Sequence, residues 1–93
     1  MEIENIKKSN KLIAEFMGYR ILLLFNLSEI PFHKDWNFLM PVVERIENMG
    51  YDVFINGLYC RITDSGMSDF EIESGECQSK IEAIWQAVVE FIK

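Results

Sequence analysis

The spacing of apolar residues along the chain predicts three helices. Residues 3–17 place apolar side chains at three- and four-residue intervals, the pattern of one helix face. Residues 35–50 predict a second helix with Asp35 as its N-cap. Residues 79–93 predict a third, which opens on a capping box of Ser79 and Glu82. The expected buried faces are Trp36, Leu39, Met40, Val43 and Ile46 on the second helix and Ile81, Ile84, Trp85, Val88 and Ile92 on the third.

Two residues interrupt these helical patterns. Asn10 lies on the apolar stripe of the first helix. A local cap or a partly exposed amide is favoured there over the register-setting polar pair of a coiled coil. Pro41 lacks an N–H, and its ring crowds the preceding helical turn. The second helix therefore either starts near Phe38 or begins as a loose turn that becomes regular after Pro41, and the loose turn is favoured.

The hairpin pattern is the clearest in the chain. Residues 51–63 alternate in polarity around Asn56-Gly57, the preferred pair for a type I′ turn. One hairpin face is then apolar, and the other carries a Phe54–Tyr59 aromatic pair. This turn fixes the expected cross-strand pairs as Ile55–Leu58, Phe54–Tyr59, Val53–Cys60, Asp52–Arg61 and Tyr51–Ile62.

Two further segments are predicted as strands. Residues 20–26 carry an unbroken aliphatic run, which predicts a strand covered on both faces. Residues 69–73 alternate apolar and acidic side chains, which predicts a short third hairpin strand. The order is then helix, strand, helix, strand, strand, short strand, helix. It predicts a single α+β domain over residues 1–93, in which three helices pack on a small, mostly antiparallel sheet of three or four strands.

The pattern Glu-x-Met-Gly-Tyr occurs twice, at residues 15–19 and 47–51. Each copy follows a predicted helix and precedes a predicted strand. Gly18 and Gly50 are expected at the C′ position, where a left-handed φ favours glycine. The tyrosine after each glycine is expected to pack back on its helix. The repeat therefore indicates two helix ends of the same kind, not a duplication.

Composition narrows the function classes. Fifteen acidic residues against nine basic ones give a net charge of −6, which argues against direct binding to nucleic acid. Two cysteines without a CxxC pair indicate reduced thiols. The N-terminal segment is not that of a signal peptide, and the longest apolar run, 21–25, is too short to span a membrane. We therefore expect a cytoplasmic protein without a cofactor.

Three segments together suggest a family. They are NKLIAEFMGY, DWNFLMPVVERIENMGYDV and SKIEAIWQAVVEFIK. They resemble segments of small proteins of phages and gut-associated bacteria related to the phage ABA sandwich domain. The resemblance covers about two-thirds of the chain, and residues 20–33 and 63–76 match least. It implies an alpha–beta–alpha sandwich and a phage or prophage origin, and it implies no activity and no catalytic residue.

Three sets of residues have side chains suited to chemistry. His33 and Asp35 could form an acid–base pair, although Asp35 is better explained as a cap. Cys60 is expected to be an inert core thiol, whereas Cys77 precedes the last helix, where a thiolate is favoured. The carboxylates of the run 64–76 could hold a cation, but a solvated strand edge is favoured. They are Asp64, Asp69, Glu71, Glu73 and Glu76.

The aromatic residues Phe25, Phe32, Phe54 and Tyr59 allow two interpretations. Helices on both sheet faces would bury Phe54 and Tyr59 in a second core layer, which the resemblance favours. Helices on one face would leave them exposed as an interface. The candidate interface residues are Phe54, Tyr59, Phe32 and His33.

The expected function is that of a non-enzymatic protein of phage or mobile-element origin. It would bind another protein or a second copy of itself. The alternative is an acidic decoy that mimics nucleic acid and blocks a DNA-binding defence protein, for which the net charge of −6 is the motive. A small hydrolase or metal-dependent enzyme that uses His33 and the acidic run ranks third.

Overall fold

Three helices and three strands make up the part of the chain that the computed structural model describes, residues 3–19, 30–64, 71–74 and 77–93. The predicted α+β class is confirmed. The strand predicted over 20–26 lies outside the described residues. In chain order the elements are α1 (Ile3–Phe16), α2 (Trp36–Asn48), β1 (Tyr51–Asn56), β2 (Tyr59–Asp64), β3 (Glu71–Glu73) and α3 (Lys80–Ile92).

The predicted N-caps are confirmed. Asp35 Oδ1 accepts a hydrogen bond of 2.9 Å from the Asn37 N–H at the start of α2. Ser79 Oγ accepts one of 3.2 Å from the Glu82 N–H at the start of α3. These bonds satisfy N–H groups that have no partner within the helix.

Both predicted glycine helix ends are also confirmed. Gly18 has φ +77° and Gly50 has φ +98°, so each has the positive φ with which a glycine at C′ ends a helix. At the end of α1, Gly18 N–H donates to the carbonyl of Glu15, and Tyr19 N–H donates to that of Ala14. These two bonds, 3.0 Å each, form a Schellman motif.

Pro41 lies inside α2 without delaying its start. The N–H groups of Phe38 and Leu39 both donate to the carbonyl of Asp35 at 3.1 Å. The helix therefore begins at Trp36, and the alternative start near Phe38 is wrong. One carbonyl shared by two N–H groups is a common arrangement at a helix terminus.

The hairpin register differs from the predicted one. β1 and β2 pair Val53 with Ile62 and Phe54 with Arg61, and the turn residues are Gly57 and Leu58. The type I′ turn predicted at Asn56-Gly57 is wrong, because Gly57 alone takes a positive φ, of +61°. Glycine as the first central residue is typical of a type II′ turn. The displacement keeps side-chain alternation, so the strand residues of the predicted apolar face stay together, whereas Leu58 lies in the turn.

The described helices pack on one face of the sheet, whose strand order is β1-β2-β3. α2 packs on β1, α3 packs on β2 and β3, and α1 packs on α3. All six elements share one apolar core, and α3 contributes the largest share of buried residues. We call the opposite side of the sheet, on which Phe54, Tyr59 and Arg61 lie, the outer face.

Two residues predicted in the core of α2 are exposed. Trp36 is 41% exposed and Met40 is 37% exposed. Both expectations are wrong because other positions of α2 face the core. Trp36 lies in the first turn of the helix, before these positions, and Met40 lies at the edge of the buried face. Its residues are Leu39, Val42, Val43 and Ile46, at the spacing of a single helix face.

Candidate interaction surface

Three large apolar side chains are exposed at the turn of hairpin β1–β2. Phe54 is 48% exposed, Ile55 40% and Leu58 48%. We call these three residues the hairpin end. The second-layer burial favoured for Phe54 is wrong, because the described helices pack on the other side of the sheet. Clustered exposed apolar side chains are typical of a binding surface.

Arg61 links the hairpin end to the acidic edge of the sheet. Its guanidinium lies over the ring of Phe54, 5.3 Å from the centroid. Its Nη1 is 3.4 Å from Glu71 Oε1 on β3. The predicted partner of Arg61 was Asp52, which instead pairs across the strands with Thr63. Both charged side chains are more than 40% exposed, so solvent screens this ion pair.

Tyr59 forms the second contact between the hairpin and β3. Its hydroxyl donates to the Glu73 carboxylate, which raises the pKa of Tyr59 and lowers the pKa of Glu73. Two members of the predicted acidic run are thus engaged by hairpin residues. Asp69 and Glu76, which belong to the same run, lie outside the described residues.

His33 and Phe32, the other two candidate interface residues, lie away from the outer face. Phe32 is fully buried, and its ring stacks on Tyr19 and meets Phe38 edge-on, each at 6.3 Å between centroids. It therefore offers no surface to a partner. His33 is half-buried and bonded to Asn10.

The interior contains a polar cluster that sequence patterns did not predict. Asn10 is 1% exposed. Its Oδ1 accepts a bond of 2.8 Å from Trp85 Nε1, and its Nδ2 lies 2.9 Å from His33 Nδ1. The partly exposed amide favoured for Asn10 is therefore wrong. We call Asn10, His33 and Trp85 the Asn10 cluster.

The geometry also separates the two residues of the acid–base hypothesis. His33 directs Nδ1 to Asn10, whereas Asp35 accepts from the Asn37 N–H as a helix cap. Burial, and secondarily the charge of Lys34, lower the pKa of His33 below its ordinary value of 6.5. Among the hydrogen bonds and ion pairs of the described residues, none joins His33 to Asp35.

Neither cysteine is placed as a reactive thiolate. Cys60 is fully buried on β2, and burial raises its pKa to about 11. Cys77 is 8% exposed, and burial followed by the charge of Glu82 raises its pKa as well. Both effects oppose the thiolate that a position before a helix would otherwise favour. Neither cysteine is in a disulfide, and Cys77 Sγ lies 3.9 Å from the Ser74 carbonyl oxygen.

A groove of about 510 Å³ runs between α1 and α3 and reaches β3. Trp85 and Leu12 line it together with charged residues of both signs, among them Lys8 and Glu73. Within the described ranges, no three His, Cys, Asp or Glu side chains gather as metal ligands. In the same part of the chain, no helix has the length and apolarity that crossing a membrane requires.

Comparison with known proteins adds no family. No protein-family model, curated protein or solved structure matches this chain. The resemblance to phage ABA sandwich proteins therefore stays a prediction made from the residues. The case for a function depends on the hairpin end, the outer face and the Asn10 cluster.

Proposed function

We propose that this protein acts by binding another protein through hairpin β1–β2, and not by catalysis. The single observation that carries the proposal is the hairpin end, with three large apolar side chains exposed within five residues. Single exposed apolar residues are common on protein surfaces, whereas here three surround one turn, with Phe54 on the outer face and Ile55 on the opposite face. The resemblance to phage and gut-bacterial proteins supports a phage or mobile-element origin.

The surroundings of the hairpin end suit a protein contact. The Phe54 ring is held by the guanidinium of Arg61, and Arg61 is in turn held by Glu71. The exposed aromatic surface thus carries a cation–π contact on the outer face of the sheet. Aromatic residues and arginine are also the types enriched at protein interfaces.

The alternative, an acidic decoy for a DNA-binding protein, has less support. A decoy needs regularly spaced acids that are free to face its target. Glu71 and Glu73 instead bond to Arg61 and Tyr59. Apolar residues occupy the exposed turn beside them. The outer face thus combines charge of both signs with aromatic surface, which favours a mixed protein interface.

Affinity capture with matched variants tests the proposal. The bait is the full chain, used against a lysate of the source organism, and the test variant is Phe54→Ser/Leu58→Ser. Met49→Ser is the control, because Met49 is 53% exposed and lies at the end of α2. We expect a captured protein that is lost with the test variant and retained with the control. Unchanged circular dichroism of both variants would show that the fold is intact.

Light scattering after size exclusion separates a second copy from a different partner. If the partner is a second copy, the mass of the wild type rises toward the dimer with concentration. The mass of Phe54→Ser/Leu58→Ser then stays at that of a monomer, which is 10.9 kDa for the wild type. Equal capture by the test and control variants, or a constant monomer mass with nothing captured, would contradict the proposed function.

A further inference from the structure

The Asn10 cluster joins three segments that are distant in sequence. Asn10 lies on α1, His33 lies in the turn before α2, and Trp85 lies on α3. The two bonds cover sequence separations of 75 and 23 residues. The His33 and Trp85 rings also meet edge-on, at 6.1 Å between centroids. The cluster is thus one of the contacts that hold the 30–35 segment against both helices.

Hydrogen-bond chemistry fixes the direction of every bond in this cluster. The indole Nε1–H of Trp85 can only donate, so the atom of Asn10 that faces it must be the carbonyl oxygen. The amide nitrogen of Asn10 then faces His33, and it too can only donate. Nδ1 of His33 must therefore accept with its lone pair. A neutral imidazole with an accepting Nδ1 carries its proton on Nε2.

We propose that the Asn10 cluster is a pH-sensitive joint, closed while His33 is neutral and opened when Nδ1 takes a proton. A proton on Nδ1 would put two donors face to face. Asn10 cannot turn its amide to accept, because the indole N–H of Trp85 holds the carbonyl oxygen. The cost of an unpaired buried donor then favours release of the 30–35 segment from α1 and α3.

The charges around His33 add to this effect. Lys34 is the charged neighbour that acts on His33, and it disfavours the imidazolium. α1 and α3 present Asn10 and Trp85 to the ring, and both are uncharged. Among the described residues, no carboxylate counts among the influences on the pKa of His33. The joint therefore offers a donor to Nδ1 of the neutral ring and, among the described residues, no acceptor to a protonated Nδ1.

The sign of the pH dependence follows from linkage. The folded-state pKa of His33 lies below the unfolded value of 6.5, so the unfolded chain binds more protons in the window just below 6.5. The contribution of the joint is complete above pH 6.5. It is lost as the pH falls through 6.5 and then through the folded-state pKa.

Nuclear magnetic resonance of the intact chain tests the joint directly. His33 is the one histidine in the sequence, so its ring signals need no assignment. We expect the Nε2–H tautomer at pH 7.5, a titration midpoint below 6.5, and a change in the Trp85 indole N–H signal at that midpoint. Trp36→Phe leaves Trp85 as the single indole. An Nδ1–H tautomer, or a midpoint at 6.5 or above, would overturn the proposal.

Two variants make the test independent of the wild-type titration. Asn10→Asp replaces the donor that faces Nδ1 with a carboxylate, which accepts from both Trp85 and the imidazolium. The midpoint of His33 should therefore move above 6.5, opposite to the wild type. His33→Gln keeps an acceptor but cannot titrate, so the Trp85 signal should stay constant from pH 7.5 to 5. A Trp85 transition that persists in His33→Gln would refute the joint.

Discussion

At the scale of single residues, we expect substitution of Asn10 to destabilise the folded protein. Asn10→Leu has a similar volume, but it removes the acceptor of the Trp85 indole and leaves that N–H buried without a partner. We expect the free energy of unfolding to fall by about 1–3 kcal/mol, the cost of such a group. Urea unfolding followed by far-ultraviolet circular dichroism measures the change.

A second substitution separates the unpaired donor from lost packing. Trp85→Phe removes the indole N–H itself. In an Asn10→Leu/Trp85→Phe double variant the buried donor is absent, so the combined loss should be smaller than the sum of the two single losses. Additive losses would show that the bond between Asn10 and Trp85 carries no coupling energy.

Gly50 gives a second prediction at the residue scale. It has φ +98°, and a Cβ there would meet nothing within 4 Å, so its replacement is strained only in the backbone. Gly50→Ala should lower the free energy of unfolding by about 1 kcal/mol, the cost of a left-handed φ for alanine. Met49→Ala, at φ −82°, is the control and should cost less. A neutral Gly50→Ala would rule out the glycine helix end.

These two residues show what sequence patterns reveal and what they miss. The glycine ends were predicted because a helix stop depends on neighbours in sequence. Asn10 was misjudged because its partners lie 23 and 75 residues away, and only the fold brings them together. The sequence contains one indication of the contact between Asn10 and Trp85. A tryptophan on an apolar helix face needs an acceptor for its N–H when buried, and Asn10 interrupts another such face.

At the scale of elements, the hairpin shows how local preference can mislead about register. The Asn56-Gly57 pair is the preferred pair of a type I′ turn, whereas the observed turn has Gly57 as its first central residue, as a type II′ turn does. The true turn at Gly57-Leu58 shifts the partner of each β1 residue by two positions along β2, from Cys60 to Ile62 for Val53. Alternation is preserved, so most residues lie on the predicted face, whereas the predicted cross-strand pairs are wrong on both faces.

The two registers make different predictions for coupling energies. In the observed register Arg61 lies opposite Phe54, with its guanidinium over the ring. A double-mutant cycle of Phe54→Ala and Arg61→Ala should give a coupling of about 0.5–1 kcal/mol, as for an exposed cation–π contact. The cycle of Phe54→Ala and Tyr59→Ala serves as the comparison and should give less. A larger coupling for Phe54 and Tyr59 would favour the type I′ register.

At the scale of the whole molecule, the class and most elements followed from periodicity and caps, whereas the exposed surface did not. Trp36 and Met40 are as apolar as core residues, and they are exposed because the buried face of α2 consists of Leu39, Val42, Val43 and Ile46. Phe54 is exposed because the described helices pack on one face only. The exposure of these residues depends on how the helices pack on the sheet, and a local sequence pattern does not reveal that packing.

Cys60 provides a probe of the cooperativity of the whole molecule. It is fully buried on β2, the central strand of the three, under α3. Its thiol has a pKa of about 11, so little thiolate forms in the folded state at pH 8. In a Cys77→Ser variant, labelling of Cys60 by a thiol reagent should therefore need opening of the sheet.

The urea dependence of that labelling distinguishes global from local opening. If β1, β2, β3 and α3 open together, the slope of the opening free energy against urea should equal the equilibrium m-value of unfolding. Cys60→Ser leaves Cys77 as the matched probe. Cys77 is 8% exposed and lies between β3 and α3. We therefore expect a smaller slope for the labelling of Cys77 than for that of Cys60. Labelling of Cys60 with a slope near zero would show that the hairpin opens away from α3 by itself. Equality would instead show that the hairpin and the helical layer unfold as one cooperative unit.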